Sequence, residues 1–540
     1  MPSTPTTKSQ VQAYQFVLRR MQSALVRRDA VMLHDPMRTH SRATIVGVVL
    51  GALGMLAFVI VGFFSPKPKP PTDGGIIVAK ESGAVYLMSA NPQALTPVFN
   101  LASARLLHMA QAQQGAQGGQ APAAGSAPPE TRVIPEEQLK DIPRLQKMGI
   151  PDAPEMLPGK DKQISPNWAV CDEIQLDSSL NEGAAIQRAQ RETTVLGGVP
   201  DLGPELPREQ GLLVTADNDE SYLVYRLADN PNRSSSETVK AKVDLGNNAV
   251  RSALELSGNP ERTVSTGLLD TIREVPDLEA PDVAGKGEPN SLGLNQLNVG
   301  EVFSVSRAGE TVPDFWLIHK DGIQKVSASV ADLVRFDRQR GAEVPKISPD
   351  RLAEIRTIEP PEGADIDEYP PMIPEILSPL QAPVTCLGWK VVGEGENRDG
   401  ETTLHVGPSM PGPKNGPDGK LRSLDIGQAN PDGSKVDKFY MQPGLGAVVR
   451  SATGKDTFDS GLIYVISDRG LRYGIPDVAT AQGLGLTDMQ PAHDPIVRLL
   501  PTGSELTTSE VLRTYDRVPI DPNAGTFPTE QPQAANPGGG

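Results

Sequence analysis

The sequence predicts a strand-dominated α+β protein. It should have a basic amphipathic N-terminal helix, one transmembrane helix, and a large following part. That part should hold a central β-rich domain and four small strand-turn-strand-helix repeats. Three observations carry the prediction. Residues 43–64 form one apolar run with neither charge nor proline. Glycine and proline number 52 and 51 among 540 residues, which favours turns and short elements. A pattern of apolar strand, tight turn, apolar strand and short helix recurs four times beyond the run.

Residues 1–42 read as a basic segment. Val11, Tyr14, Leu18, Met21 and Leu25 recur at spacings of three and four, one face of a helix, and Ser9 is placed to cap its start. Arg19, Arg20, Arg27 and Arg28 flank that face. The pattern suits a helix lying on anionic headgroups and equally a docking helix for another subunit of a membrane complex.

The apolar run follows. Its 22 residues span roughly 33 Å as a helix, enough to cross a bilayer core of about 30 Å. A cleaved signal peptide fits less well. The run and the segment before it are too long, and Ser65-Pro66-Lys67-Pro68 is not a small-x-small cleavage site. The first 42 residues carry seven basic against two acidic side chains, a net of +5, so the chain's −16 leaves −21 for the rest. The positive-inside bias therefore puts the N-terminus in the cytoplasm and the large part outside. Such an acidic domain will not bind nucleic acid through counterion release.

Residues 65–73 read as a stiff proline-rich spacer and 110–131 as a flexible linker of Gln, Ala, Gly and Pro. Repeats are expected at 74–109, 211–258, 300–340 and 441–500, with helices near 101–107, 248–256, 329–336 and 478–482. Asp321-Gly322 and Arg469-Gly470 sit where hairpin turns favour positive φ. The central domain is expected from two parts, 132–210 with Cys171 and 341–440 with Cys386, and a connecting segment at 259–299 lies between the second and third repeats. Residues 501–540 form a C-terminal segment with a tail poor in core residues. Two thiols in an exported domain are expected to pair. Closing a loop of about 215 residues would stabilise the fold by roughly 5 kcal/mol on chain entropy, as an upper figure.

Catalytic, cofactor-binding and metal-ligating patterns are missing. The six histidines (34, 40, 108, 319, 405 and 493) have no metal-ligand spacing. Gly444-Leu445-Gly446 lacks the third glycine of a dinucleotide fingerprint, and no G-x-S-x-G elbow occurs. Gly454-Lys455-Asp456 puts a carboxylate where a phosphate-binding loop needs a hydroxyl, and reads as a turn. Asp365, Asp367 and Glu368 read as a solvated acidic loop, and Arg469 and Arg472 as structural or interface residues.

Several stretches resemble one family. They include Phe16-Val17-Leu18-Arg19-Arg20-Met21, Met32-Leu33-His34-Asp35-Pro36, Asn100-Leu101-Ala102-Ser103-Ala104-Arg105 and Trp168-Ala169-Val170-Cys171-Asp172. Asp321-Gly322-Ile323-Gln324-Lys325-Val326 and Gly470-Leu471-Arg472-Tyr473-Gly474-Ile475-Pro476 continue the series. Together they resemble EccB, a membrane-core subunit of the mycobacterial type VII (ESX) secretion system. The resemblance implies a scaffold in the inner membrane that assembles with EccC, EccD and EccE. It implies elongated periplasmic bodies that pair, and a disulfide between positions matching Cys171 and Cys386. Contacts with peptidoglycan and a MycP-like protease are further implications. ATP hydrolysis is attributed to some members; the absent phosphate loop argues against it here. Asp152 departs from the family's usual glycine and is expected to alter the loop after Ile150.

Overall fold

The structure is a computed structural model. It describes residues 7–27, 36–64, 69–115, 128–177, 179–216, 220–228, 238–307, 309, 312–359, 362–416, 419–427 and 436–517. The chain divides into two compact units, Met1–Pro70 and Pro71–Gly540.

The first unit holds two helices, Lys8–Arg27 and Pro36–Phe64. Ser9, expected as the cap, lies inside the first helix. Thr7 precedes it instead and donates its backbone N–H to Gln10 Oε1 at 3.0 Å, half of a capping box. Val11, Tyr14, Leu18, Met21 and Leu25 are all exposed. The second helix starts seven residues upstream of the apolar run. Its Arg42–Gly62 segment has a mean hydropathy of 2.7 and no buried residue. Apolar side chains all round, with every interior backbone group bonded within the helix, meet the demands of a lipid core.

The second unit is strand-rich, with five sheets among the described residues. The central sheet has six strands in the order Asp399–Gly407, Val384–Val392, Trp168–Gln175, Gln190–Gly197, Lys438–Tyr440 and Leu424–Asp425. Both faces of its middle strands are covered, so Trp168–Gln175 is buried almost throughout rather than in alternation. Trp168, Val170 and Leu387 face one large core, while Ala169, Cys171 and Cys386 face a smaller one.

Each of the other four sheets follows one plan. Three antiparallel strands lead into a helix, and the chain then returns parallel to the first strand. In the first sheet these strands are Gly75–Ala79, Val85–Ala90 and Gln93–Val98. The helix is Leu101–Gly115 and the return strand Thr131–Ile134. In the second the helix Asn248–Ala253 is followed by the return strand Arg262–Thr263. In the third, after Ala328–Arg338, the return is a single bridge between Ser304 and Lys346. In the fourth, Val478–Gly483 leads to Gln490–His493. The strand-turn-strand-helix reading thus missed one strand before the helix and the return after it. Val302–Val305 and Ala447–Ala452 lie inside the expected repeats 300–340 and 441–500 but ahead of the strands that mark the pattern there, and the returns are too short to carry periodicity. One local signal marks all four helices. Asn100, Asn247, Ser327 and Asp477 each accept a backbone N–H from the first turn.

The first helix runs past its expected end at residue 107 into the expected linker. Its Ala and Gln residues are good helix formers, and Ala110 is buried. Residues 116–127 of that linker, 65–68 of the spacer and the tail beyond 517 lie outside the described residues. Gly470 adopts φ +82° in its hairpin, as the turn reading requires, and a Cβ there would stand 2.8 Å from the Phe439 ring. Gly322 has no positive φ. Its lack of a side chain instead admits the neighbouring backbone, since a Cβ would stand 2.5 Å from the Arg356 carbonyl.

Sheets distant in sequence share cores. Leu87 and Leu106 of the first sheet unit join Val465 and Leu484 of the fourth in one cluster. The strand Thr514–Tyr515 pairs with Lys147–Met148 at the edge of the first sheet. Central-sheet residues cluster with Val214 and Leu268 on one side of the chain order and Val449 and Val497 on the other. Leu333 of the third helix enters the core of the second sheet.

Candidate functional site

The described residues bring together one concentrated set of polar groups, at the joint between the central sheet and the Arg262–Thr271 segment. Cys171 and Cys386 stand directly opposite each other on adjacent antiparallel strands and form a disulfide, both side chains buried. The next pair in the register, Asp172 and Thr385, points to the opposite face. Asp172 is 1% exposed. Its Oδ1 accepts from Thr193 Oγ1 at 2.7 Å and Ser265 Oγ at 2.9 Å, and its Oδ2 from the Ser265 N–H at 2.6 Å. Ser265 caps the helix Thr266–Thr271, its Oγ accepting from the Leu268 N–H at 3.0 Å. Arg262, also 1% exposed, donates from Nη1 to Thr385 Oγ1 at 2.9 Å. Its Nε and Nη2 meet no protein acceptor. Arg191 donates to the Val264 carbonyl at 2.8 Å.

Burial pushes the Asp172 carboxyl above its ordinary range; the Ser265 and Thr193 hydrogen bonds and the field of Arg191 oppose it. Burial pulls the Arg262 guanidinium down to about 10, against the attraction of Asp172. This joint is a mechanical clamp. It pins the start of one short helix to two strands through a single carboxylate. In the sequence, Asp172 stood out only as a charge inside an apolar strand beside a cysteine.

The other singled-out residues are scattered. Arg19 and Arg20 are exposed on the first helix, Arg27 ends it, and Arg28 lies outside the described residues. Arg469 pairs with Glu155 at 3.2 Å in an exposed bridge. Arg472 stands 5.5 Å above the Tyr464 ring. Glu368 of the acidic loop pairs with Arg273 at 2.5 Å. Asp152 accepts from the Ser504 N–H at 3.0 Å and its hydroxyl at 2.6 Å, tying the loop after Ile150 to the C-terminal part. Gly454 is extended and Lys455–Thr457 forms a single 3₁₀ turn. Among the described residues no group of three or more His, Cys, Asp or Glu is placed to hold a metal ion.

Sequence reasoning gave His493 no role, yet it lines a cavity of about 320 Å³ together with Trp389 and Phe458. Burial drives its imidazole pKa down to about 4, against smaller opposing effects of the Thr271 backbone and Asp494. Neither ring nitrogen has a hydrogen bond of normal geometry. An unfolded histidine titrates near 6.5, so the folded chain binds fewer protons between that value and about 4. Stability therefore falls as pH drops through this window, by on the order of 3 kcal/mol. Urea midpoints at pH 7, 5.5 and 4.5 should fall more steeply for the native chain than for His493→Gln. Equal slopes would refute the assignment.

Comparison with known proteins places these features. The family described as "Type VII secretion system ESX-1, transport TM domain B" matches residues 3–520. The "ESX-1 secretion system ATPase EccB1" of Mycolicibacterium smegmatis is 29% identical over 521 residues, covering 96% of this chain and 97% of the relative. The protein of the same name from Mycobacterium tuberculosis is 26% identical, covering 97% and 98%. The fold matches a chain of an intact ESX-5 inner membrane complex with a TM-score of 0.67 and 23% identity, covering 98% and 99%. It matches a chain of the EccB3 dimer from the ESX-3 core complex with a TM-score of 0.62 and 22% identity, covering 82% and 100%. With a family match that runs from the basic helix through the apolar span to the last sheet, the chain belongs to the EccB family of the type VII secretion system.

Proposed function

We propose that this chain is a structural subunit of an ESX secretion core complex in the inner membrane, holding a large periplasmic unit by one transmembrane helix. One observation carries the reading: the family match takes in both the apolar helix and nearly the whole of the strand-rich unit. The +5 charge before the helix supports a cytoplasmic N-terminus. There the helix Lys8–Arg27, through Arg19 and Arg20 on its exposed face and the basic residues Arg27 and Arg28 that follow in the sequence, docks EccC-, EccD- and EccE-like subunits. Outside the membrane the large unit associates with a second copy and contributes the periplasmic part of the assembly; a MycP-like protease and peptidoglycan are candidate neighbours there. The mechanism is mechanical, with the clamp around Asp172 keeping the sheets in fixed relation while substrate passes.

The test is purification from membranes in mild detergent through a C-terminal tag, with partners identified by mass spectrometry. A large particle containing EccC-, EccD- and EccE-like chains is expected; a free monomer or dimer refutes the scaffold. ATP hydrolysis by the purified full chain should not exceed that of a mock purification, and Lys455→Ala should change nothing. Hydrolysis that is abolished by Lys455→Ala would show the Gly454 turn to be a nucleotide site after all.

A further inference from the structure

A strand at the end of a sheet offers unpaired backbone groups to any chain that can add to it, and several edges here are covered by passing segments. In the third sheet the Ser304 N–H donates to the Pro345 carbonyl at 2.8 Å and the Ile323 N–H to the Arg356 carbonyl at 2.9 Å. In the fourth, the Arg472 N–H donates to Pro501 at 3.0 Å, and at the edge of the central sheet Leu206 donates to Leu404 at 2.7 Å. The first sheet ends on one side in Thr514–Tyr515. Its other end is Thr131–Ile134, paired with Gly75–Ala79 alone.

The Lys80 N–H donates to the Ile134 carbonyl at 3.0 Å, so Ile134 and, two residues back, Arg132 turn their backbone groups inward. Thr131 and Val133 turn theirs outward, where no described residue takes them. Thr131, Arg132 and Val133 are all exposed, Val133 by 53%. Alternation puts Thr131 and Val133 on the face of Ile76, and Glu130 and Arg132 on the face of Ile77.

We propose that Thr131–Ile134 pairs antiparallel with the same strand of a second copy, each Thr131 facing its counterpart on the two-fold axis. The proposal rests on the association of two copies put forward above and fixes where they meet. In this register the two Thr131 residues exchange both their backbone bonds, and each Val133 N–H reaches the Pro129 carbonyl across the axis. Pro129 has no N–H to return a bond, which ends the ladder there. Each Glu130 stands opposite an Arg132, so the short ladder carries two opposite-charge pairs, and neither residue has an ion-pair partner among the described residues. Centring the pair on Arg132 would set like charges face to face, and centring it on Val133 would leave both charges unmatched. A strand complementary to itself is what a two-fold contact requires, and it favours a second copy over an unrelated chain.

Thr131→Cys in the full chain tests the pairing. The two native cysteines are buried in their disulfide, so the new thiol is the reactive one. Facing residues in a hydrogen-bonded antiparallel pair have Cα atoms about 5.5 Å apart, within disulfide reach. Mild oxidation of the purified protein should give a covalent dimer about a hundredfold faster than for Leu462→Cys, an exposed site elsewhere. Val133→Cys should be as slow as that control, since the two positions would lie about 13 Å apart along the strand. Glu130→Arg and Arg132→Glu should each slow the cross-linking of Thr131→Cys several-fold, and the two together should restore it. All these positions are exposed, so the substitutions spare the core. Two differently tagged copies, expressed together, report separately on association. Co-purification of both tags without rapid cross-linking at Thr131→Cys would overturn the edge pairing and leave the association standing. Faster cross-linking at Val133→Cys, or no rescue by the double reversal, would overturn the register. Tags that never co-purify would remove the association and the pairing together.

Discussion

Asp172→Ala is expected to destabilise the strand-rich unit by about 3–5 kcal/mol, the cost typical of breaking a buried charged cluster by removing one partner. The carboxylate is the shared acceptor of the Ser265 N–H, the Ser265 hydroxyl and the Thr193 hydroxyl, and the counter-charge of a fully buried guanidinium. Truncating it leaves three buried donors without their acceptor and Arg262 uncompensated. Arg262→Met should cost far less. That guanidinium has one protein hydrogen bond, with Nε and Nη2 unmet, so an apolar chain of similar length gives up little. The asymmetry is the prediction. Urea midpoints of the two variants should differ by several times the error of the measurement, and in Asp172→Ala hydrogen exchange should quicken first in the Thr266–Thr271 helix that Ser265 caps. Equal losses from the two substitutions would refute the clamp as described.

The second large effect is expected from Cys171→Ser combined with Cys386→Ser. The bridge joins residues 215 apart in sequence, and the open chain gains up to about 5 kcal/mol of conformational freedom on unfolding. Two hydroxyls would replace the sulfurs in the small core with Ala169, Leu196 and Tyr440. The central sheet would still be closed by hydrogen bonds along the whole register from Val384–Glu173 to Trp389–Trp168. The variant should therefore fold, but with a lowered urea midpoint. The loss should exceed the sum expected of a single-site change when combined with Asp172→Ala, because both act on the same strand pair. Additivity would mean that the two faces of the sheet are energetically independent.

Much of this was legible in one dimension. The apolar run announced a helix long and apolar enough to cross a membrane, because a lipid core tolerates no charge over its length. The spacing of Val11, Tyr14, Leu18 and Met21 announced the helix Lys8–Arg27. Gly470 was read correctly from its turn, whereas Gly322 was read for the wrong reason: what it supplies is space for the Arg356 carbonyl, a contact made by a segment 34 residues away. The return strands of the repeats escaped for a related cause. Arg262–Thr263 and the Ser304–Lys346 bridge are strands only because a distant strand offers them a ladder.

The sequence by itself determined the class of protein, the long apolar helix, the strand-rich character of the large unit and the family to which the chain belongs. These follow from composition, local periodicity and motif order, which do not depend on which parts of the chain meet. The tertiary structure alone decided which sheets share cores, how Asp172, Ser265 and Arg262 form one joint, and why Trp389, Phe458 and His493 line a single cavity. Those pairings are set by burial of apolar surface between segments far apart in sequence. Hydrophobic attraction is non-directional, so no local pattern records its partner.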